Sequence, residues 1–278
     1  MTGRAAGSRA AGRAAGGKSL MARRFGKGAQ GVVVVLLFFL VWEAAVRITN
    51  ANEAFISAPS AAIAHLLFKQ PDANYHWGKN ILATFYEFAL GFVVTGFVGT
   101  VIGIVIGWSK TIQKAVMPLF VMFNSIPMVA VAPILLIWMG YGLKTNVLIA
   151  FLVSFFPMVI NTVAGLKSVD GDLLDLVRYL NGSKWQLFRK IRLPNALPFI
   201  FSALKICTTL SVMGVIVGEL IASDRGLGYV IINAQMMMDT PPLFASLIMI
   251  SLLGWGMYLV VSAAERLVMP WAFVDEVV

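Results

Sequence analysis

The 278-residue chain has one cysteine, two histidines and thirteen acidic residues, and each scarcity closes a class of function. A single cysteine forms no intramolecular disulfide, so oxidation plays no part in holding the fold. Cys207 lies inside an apolar run, where it is expected as a small buried side chain. His65 and His76 stand in a polar connection at a spacing that builds no metal site, and no further ligand type accompanies them; no bound metal is expected. No Gly-x-x-x-x-Gly-Lys-Ser/Thr loop occurs, so the chain lacks that phosphate cradle for hydrolysing ATP. No Ser/His/Asp or paired-carboxylate set stands out either, and with both histidines in one outer connection there is no nucleophile–base pair. An enzyme with its own cofactor is therefore not expected.

What the chain has in excess is apolar surface. It is 59% apolar and 13% charged, with a mean hydropathy of +0.84, against about 45–50% apolar in an ordinary soluble domain. This predicts an integral membrane protein, all-α, with six spans near 31–48, 80–108, 116–139, 146–166, 196–218 and 242–264, each near or above the ~20 residues a bilayer requires. The first is short and carries Glu43 and Arg47, which reach the interface from its outer end.

The net charge of +9 raises nucleic acid as a partner, and its distribution argues against that. Residues 1–30 hold seven basic residues, no acid and a repetitive Ala/Gly/Arg pattern that builds no core. Such a tail is either a disordered cytoplasmic extension or a binder of anionic lipid. With the N-terminus inside, the cytoplasmic segments collect seventeen of the twenty-two Lys and Arg residues, which places both termini and the loop 167–195 in the cytoplasm. On the outer side, Ala61–Phe68 is expected as a short interfacial helix, with Tyr75 and Trp77 as headgroup anchors. A partly embedded helix is expected between Gly228 and Met238, and Asp239-Thr240-Pro241-Pro242 starts the last span.

Lys167–Pro198 interrupts the apolar runs. Leu173, Val177 and Leu180 fall at helical spacing among Asp172, Asp175 and Arg178, which predicts a helix with one apolar face. Asn181-Gly182 breaks it, Ser183-Lys184-Trp185-Gln186 has the form of a capping box opening a second helix, and that helix ends before Pro194. An apolar stripe exposed in the cytoplasm is unfavourable unless a partner covers it. The segment Asn181, Gly182, Ser183, Lys184, Trp185 is thus a candidate coupling helix, with Trp185 its anchor.

Ile191-x-Leu193-Pro194 matches the end of the cytoplasmic signature of permease subunits of binding-protein-dependent ABC importers, namely Glu-Ala-Ala, three residues, Gly, nine residues, Ile-x-Leu-Pro. Counting back, Asn181 stands at the family's glycine and Asp175-Leu176-Val177 at its Glu-Ala-Ala; both depart from the pattern, although Asp175 keeps the acid. Gly218-Glu219-Leu220-Ile221 with Asp224-Arg225-Gly226-Leu227-Gly228-Tyr229 resembles the branch handling nitrate, sulfonates, taurine, riboflavin and thiamine-precursor pyrimidines. The resemblance covers roughly 55–271, leaving 1–30 as tail, 31–54 as first span and external connection, and 272–278 as C-terminal tail. It implies a type I importer-like fold in the bacterial inner membrane, working as a homodimer. It further implies ATPase subunits, with their ATP and Mg, on the cytoplasmic helices, and a periplasmic solute-binding protein outside. Asp175, Leu193 and Pro194 join the coupling candidates on this ground.

For the pathway, Pro118, Pro127 and Pro133 break span three, and broken helices sit inside a bundle or beside a water-filled route; kinks serving packing alone are the other reading. Asn124, Ser125, Thr208, Thr209 and Ser211 are candidate polar contacts, and Glu219 or Glu87 either meets substrate or is a locally paired charge. Gly99, Gly103 and Gly107 form a stripe for close helix packing. An ion-gradient-driven secondary transporter is the alternative; it would show internal repeats or coupling acids near the midplane. A membrane-embedded enzyme ranks last.

Overall fold

The structure, a computed structural model, describes residues 31, 33–49, 52, 55–67 and 75–272. The expected tail over 1–30, residues 273–278 of the C-terminal tail, and Phe68 with the connection after it lie outside the described residues. Among the described residues the chain is helical: α1 (33–48), α2 (Pro59–Leu67), α3 (Trp77–Trp108), α4 (Lys110–Asn124), α5 (Met128–Met139), α6 (Leu143–Lys167), α7 (Gly171–Tyr179), α8 (Lys184–Leu187), α9 (Leu193–Ala222), α10 (Leu227–Met236) and α11 (Thr240–Val268).

Four of these, the helices from Trp77, Leu143, Lys184 and Thr240, are long and apolar enough to cross a membrane, and a fifth span is counted only if α4 and α5 are taken together. The expected fold class is therefore met, and among the described residues the span count is four or five against the six expected. The expected third span is two helices meeting at 88°. The break falls at Ser125-Ile126-Pro127: Pro127 has no N–H to continue the ladder and sits at the N-cap of α5 with extended backbone.

α6 is the central helix, packed against α3 on one side and α9 on the other. The glycine stripe of α3 explains the first contact. A Cβ placed on Gly91 would lie 2.6 Å from Ala150 Cβ, on Gly99 2.7 Å from Met158 Cγ, on Gly103 2.6 Å from Thr162 Cβ, and on Gly107 2.6 Å from Leu166 Cδ1. Between the first two pairs, Thr95 and Ser154 hydroxyls bond at 2.9 Å. The stripe is thus a seam with a four-residue period, closed because glycine removes the atoms that would collide. On the other face of α6, a Cβ on Gly214 would reach Ala150 Cα at 2.6 Å. Cys207 is buried beside this contact as expected, its Sγ 3.4 Å from Ser154 O.

Some expectations at the ends of the spans are corrected. Tyr75 and Trp77 do not stand at the headgroups; both are buried around His65 in the junction of α2, α10 and α11, and the Tyr75 hydroxyl donates to Asp239 at 3.2 Å. Aromatic rings that find a protein pocket and a hydroxyl partner gain both burial and the hydrogen bond. The Lys205 ammonium lies 2.5 Å from Glu265 on α11 and 5.8 Å from the Tyr258 ring centroid. Glu43 and Arg47 pair with each other at 2.6 Å, and Glu43 also accepts from the Ser60 hydroxyl at 2.7 Å, fastening α1 to α2.

Candidate coupling site and pathway face

The unit of α7 and α8, expected on the cytoplasmic side, is built from local hydrogen bonds. Asp170 caps α7 by accepting from the Asp172 N–H at 3.1 Å. At its other end the Gly182 N–H donates to Val177 O at 2.9 Å and the Asn181 N–H to Arg178 O at 3.0 Å, the paired bonds of a Schellman close. That motif needs a left-handed residue, and Asn181 supplies it with φ 50°. Asparagine is one of the few residues besides glycine that tolerates this region, so the departure from the family's glycine leaves the turn intact. Gly182 is required next to it, since a Cβ there would lie 2.6 Å from Val177 Cγ1.

Ser183 then opens α8 with the expected capping box: its hydroxyl accepts from the Gln186 N–H at 3.2 Å, and the Gln186 amide oxygen accepts from the Ser183 N–H at 2.8 Å. Beyond α8 the expected stop before Pro194 is absent. A π-turn over Phe188–Arg192 leads directly into α9, with Pro194 in the first turn of that helix. A proline ring collides with the carbonyl four residues back in an α-helix, and the wider π-turn, closed by the Leu193 N–H on Phe188 O, moves that carbonyl aside. Leu193 packs against the bundle core, and Asn195 donates to the Ser168 hydroxyl at 2.8 Å, tying the start of α9 to the end of α6.

The unit presents an apolar outer face. Leu173, Leu176 and Leu180 are exposed while Leu174 and Val177 turn inward, so the outward stripe is offset from the one expected through Val177. Trp185 is 59% exposed. Its inner side stacks on Phe188 with centroids 5.8 Å apart, and Phe188 in turn meets Trp108, the last residue of α3, at 4.9 Å. Phe188 is on the second helix expected in this segment, but its contact with Trp108 escaped the sequence reading because the two lie 80 residues apart in numbering. Asp175 is exposed and paired 2.7 Å from Arg178 on its own helix. Lys184, Arg189 and Lys190 surround the face with exposed positive charge.

The pathway candidates divide. Asn124, Ser125, Pro127 and Pro133 lie exposed along the bent α4–α5 pair, where the Ser125 hydroxyl donates to Val121 O at 3.0 Å. Thr209 is exposed on a stripe of α9 with Ser202, Ile206 and Met213. Thr208 and Ser211 are instead buried: the first donates to Lys205 O at 2.7 Å and the second bonds Ser154 at 3.2 Å. Glu219 is buried as well, with 1% exposure. It accepts from the Thr84 hydroxyl and from the Gly228 N–H, each at 2.7 Å. Among the described residues no group of His, Cys, Asp or Glu is arranged to hold a metal.

Residues 99–272 match the family model described as binding-protein-dependent transport system inner membrane component. Over most of its length the chain is similar to curated permeases. The riboflavin transport system permease protein RibX of Chloroflexus aurantiacus is 32% identical over 90% of this chain and 92% of that protein. The putative aliphatic sulfonates transport permease protein SsuC of Bacillus subtilis is 28% identical over 87% of each. The taurine transport system permease protein TauC of Escherichia coli is 26% identical over 87% of this chain and 88% of that one. Among solved structures, a chain of the methionine ABC transporter MetNI, in an inward-facing conformation, superposes with a TM-score of 0.51 at 22% identity, covering 67% of this chain and 96% of that chain, a likeness of fold. The capped α7–α8 unit, the long apolar helices and these matches agree: the chain belongs to the binding-protein-dependent transport system inner membrane components and is a permease subunit of an ABC importer, in the branch that holds these relatives.

Proposed function

We propose that this permease passes a small organic solute or anion inward across a bacterial inner membrane, received from a periplasmic binding protein and driven by separate ATPase subunits seated on α7 and α8. The observation that carries the reading is the exposed apolar face Leu173, Leu176, Leu180 and Trp185 on a unit rigidly closed by a Schellman turn and a capping box. In water such a face is unfavourable, and its rim of Lys184, Arg189 and Lys190 suits an acidic partner surface. ATP on the partner biases a two-state shift through its differential affinity for the closed ATPase pair. A second copy of the permease covers the open α4–α5 and α9 stripes, so that Asn124, Ser125 and Thr209 face a route between the copies. The relatives' names, riboflavin, sulfonates and taurine, support a small organic solute.

Trp185→Ala and Gly182→Asp test the seat. Truncating an anchor of this type costs ~2 kcal/mol or more of binding, so both variants are expected to insert normally and to lose ATPase subunits on purification. Retention at full stoichiometry, with ATP hydrolysis still stimulated by binding protein, would overturn the assignment. Orientation is tested with cysteines at Ser183 and Asp224 in a Cys207→Ala background. Both positions are exposed, and only the one at 224 is expected to react with an impermeant thiol reagent in intact spheroplasts.

A further inference from the structure

A cleft of about 900 Å³ lies between α1 and α11, away from the faces that the transport reading uses. Its α11 wall runs from Phe244 to Trp255 and its α1 wall from Gly31 to Trp42. At one end the Trp42 and Phe244 rings meet with centroids 5.2 Å apart. Leu36, Phe38, Leu252 and Trp255 are exposed along the walls, so the cleft opens sideways to the surroundings of α11. α11 is one of the helices long and apolar enough to cross a membrane, and what surrounds it at this depth is lipid.

Depth and width select the occupant. From Phe244 to Trp255 the helix rises about 16 Å, close to half of a ~30 Å hydrocarbon core. That stretch starts one turn into α11 and ends near its middle, so the cleft follows one leaflet from its edge toward the bilayer centre. The volume over that length leaves a mean cross-section of about 55 Å², below the roughly 80–110 Å² of a helix 10–12 Å across. A helix of a second copy is too thick to fill it, and the stripes assigned above to a second copy lie on α4, α5 and α9. No charged side chain lines the walls, and the Ser251 hydroxyl already donates to Leu247 O at 2.9 Å, so a polar solute finds no partner midway along. A hydrocarbon chain meets both limits. Between two walls it touches protein on sides that would face only other lipid against a single helix.

The charge that a headgroup needs stands at the matching end. Arg47 lies five residues beyond Trp42, about 7–8 Å further along α1, and its side chain is 70% exposed. Glu43 holds its Nε at 2.6 Å, which fixes the guanidinium and leaves N–H donors for a phosphate oxygen. We propose that the cleft is a phospholipid site: one acyl chain lies along it between α1 and α11, and the phosphate is held at Arg47. The lipid belongs to the leaflet at the start of α11, expected to be the outer one. It fills the gap between the two helices beyond their ring contact and so holds α1 to the bundle along its length, while the bonds of Glu43 and Arg47 to Ser60 fasten one end.

The test uses the full chain in nanodiscs and a phosphatidylglycerol carrying a diazirine midway along one acyl chain, with crosslinks mapped by mass spectrometry. Residues 35–39 and 247–252 are expected to be labelled together, about fivefold or more above the exposed Phe97 of α3, which offers a single helix surface. Ser251→Phe, which places a ring in the cleft, is expected to abolish the labelling of both walls, and Val35→Phe to do the same from the other side. Arg47→Gln is expected to leave the labelled positions unchanged and to cut the advantage of phosphatidylglycerol over the matching diacylglycerol about fivefold in competition. Labelling no stronger than at Phe97 would mean annular lipid only and would overturn the proposal. So would labelling that survives both filling variants, or a phosphate advantage that survives Arg47→Gln. A disulfide formed between copies carrying Leu36→Cys and Trp255→Cys would put a second permease in the cleft, with the same result.

Discussion

The two ends of this bundle are held in opposite ways. At the end that carries them, α7 and α8 are closed by bonds between residues two to five apart, as in Gly182 to Val177 and Ser183 with Gln186, and their side chains face out. At the other end, expected to be the outer one, the bonds are long-range: Thr84 to Glu219, Leu227 to Thr84, Asn146 to Glu87, all buried. A locally closed unit keeps its shape when a partner pushes on it, because no bond to the rest of the protein has to break. A unit closed by distant residues changes shape only when the helices that carry them move. The first arrangement suits a handle and the second reports on the bundle.

The comparison can be broken by mutation, beginning at the outer end. Glu219→Ala strands the Thr84 hydroxyl and the Gly228 N–H inside the protein, and hydrogen bonds to a charged group are worth about 1.5–3 kcal/mol each. Thermal unfolding in detergent is expected to show a loss of about 2–4 kcal/mol, and an unchanged midpoint would mean that the outer end is not held by these bonds. Next, Gly103→Val forces side-chain atoms into Thr162 across the α3–α6 seam. Overpacking of this kind costs about 1–3 kcal/mol, and the same assay should place it below Glu219→Ala. Ser183→Ala removes a cap worth about 1 kcal/mol on an exposed turn. It is expected to speed proteolysis near α8 while leaving global unfolding where it was; a shift in the global midpoint would show that the handle is part of the bundle after all. Asn181→Gly is the smallest, since glycine and asparagine both adopt the left-handed position past a helix C-terminus, and should keep ATPase association intact.

What was legible in the sequence follows the same division. The capping box, the Asn-Gly turn and the short outer helix could be read because their bonding partners lie within a few residues. The spans could be read because hydropathy accumulates along a window. That same accumulation hid the break at Ser125-Ile126-Pro127: an average over apolar residues carries no information about the direction of the chain, so two helices at 88° looked like one. Pro194 erred in the other direction, since a proline reads as a stop and the π-turn that accommodates it has no sequence pattern. Glu87, Asn146 and Thr84 were invisible as a group because they lie on two helices, their partners 59 to 143 residues away. Tyr75 and Trp77 looked like interfacial aromatics for want of any sign that α10 and α11 would cover them.

The seam between α3 and α6 connects the two ends. Its teeth recur every four residues, and at Gly91, Gly99, Gly103 and Gly107 the opposing helix carries an atom where a Cβ would stand. Sliding by one tooth, about 6 Å, would bring each glycine to a side chain of different size, so the two helices behave as one stiff beam. That beam touches Phe188 through Trp108 at its inner tip, and about 36 Å away carries Thr84 and Glu87 at its outer part. A displacement at Trp108 thus reaches Thr84 and the Leu227 N–H bonded to it with little slack, and any rearrangement of the bundle must bend at other interfaces, such as the α4–α5 pair.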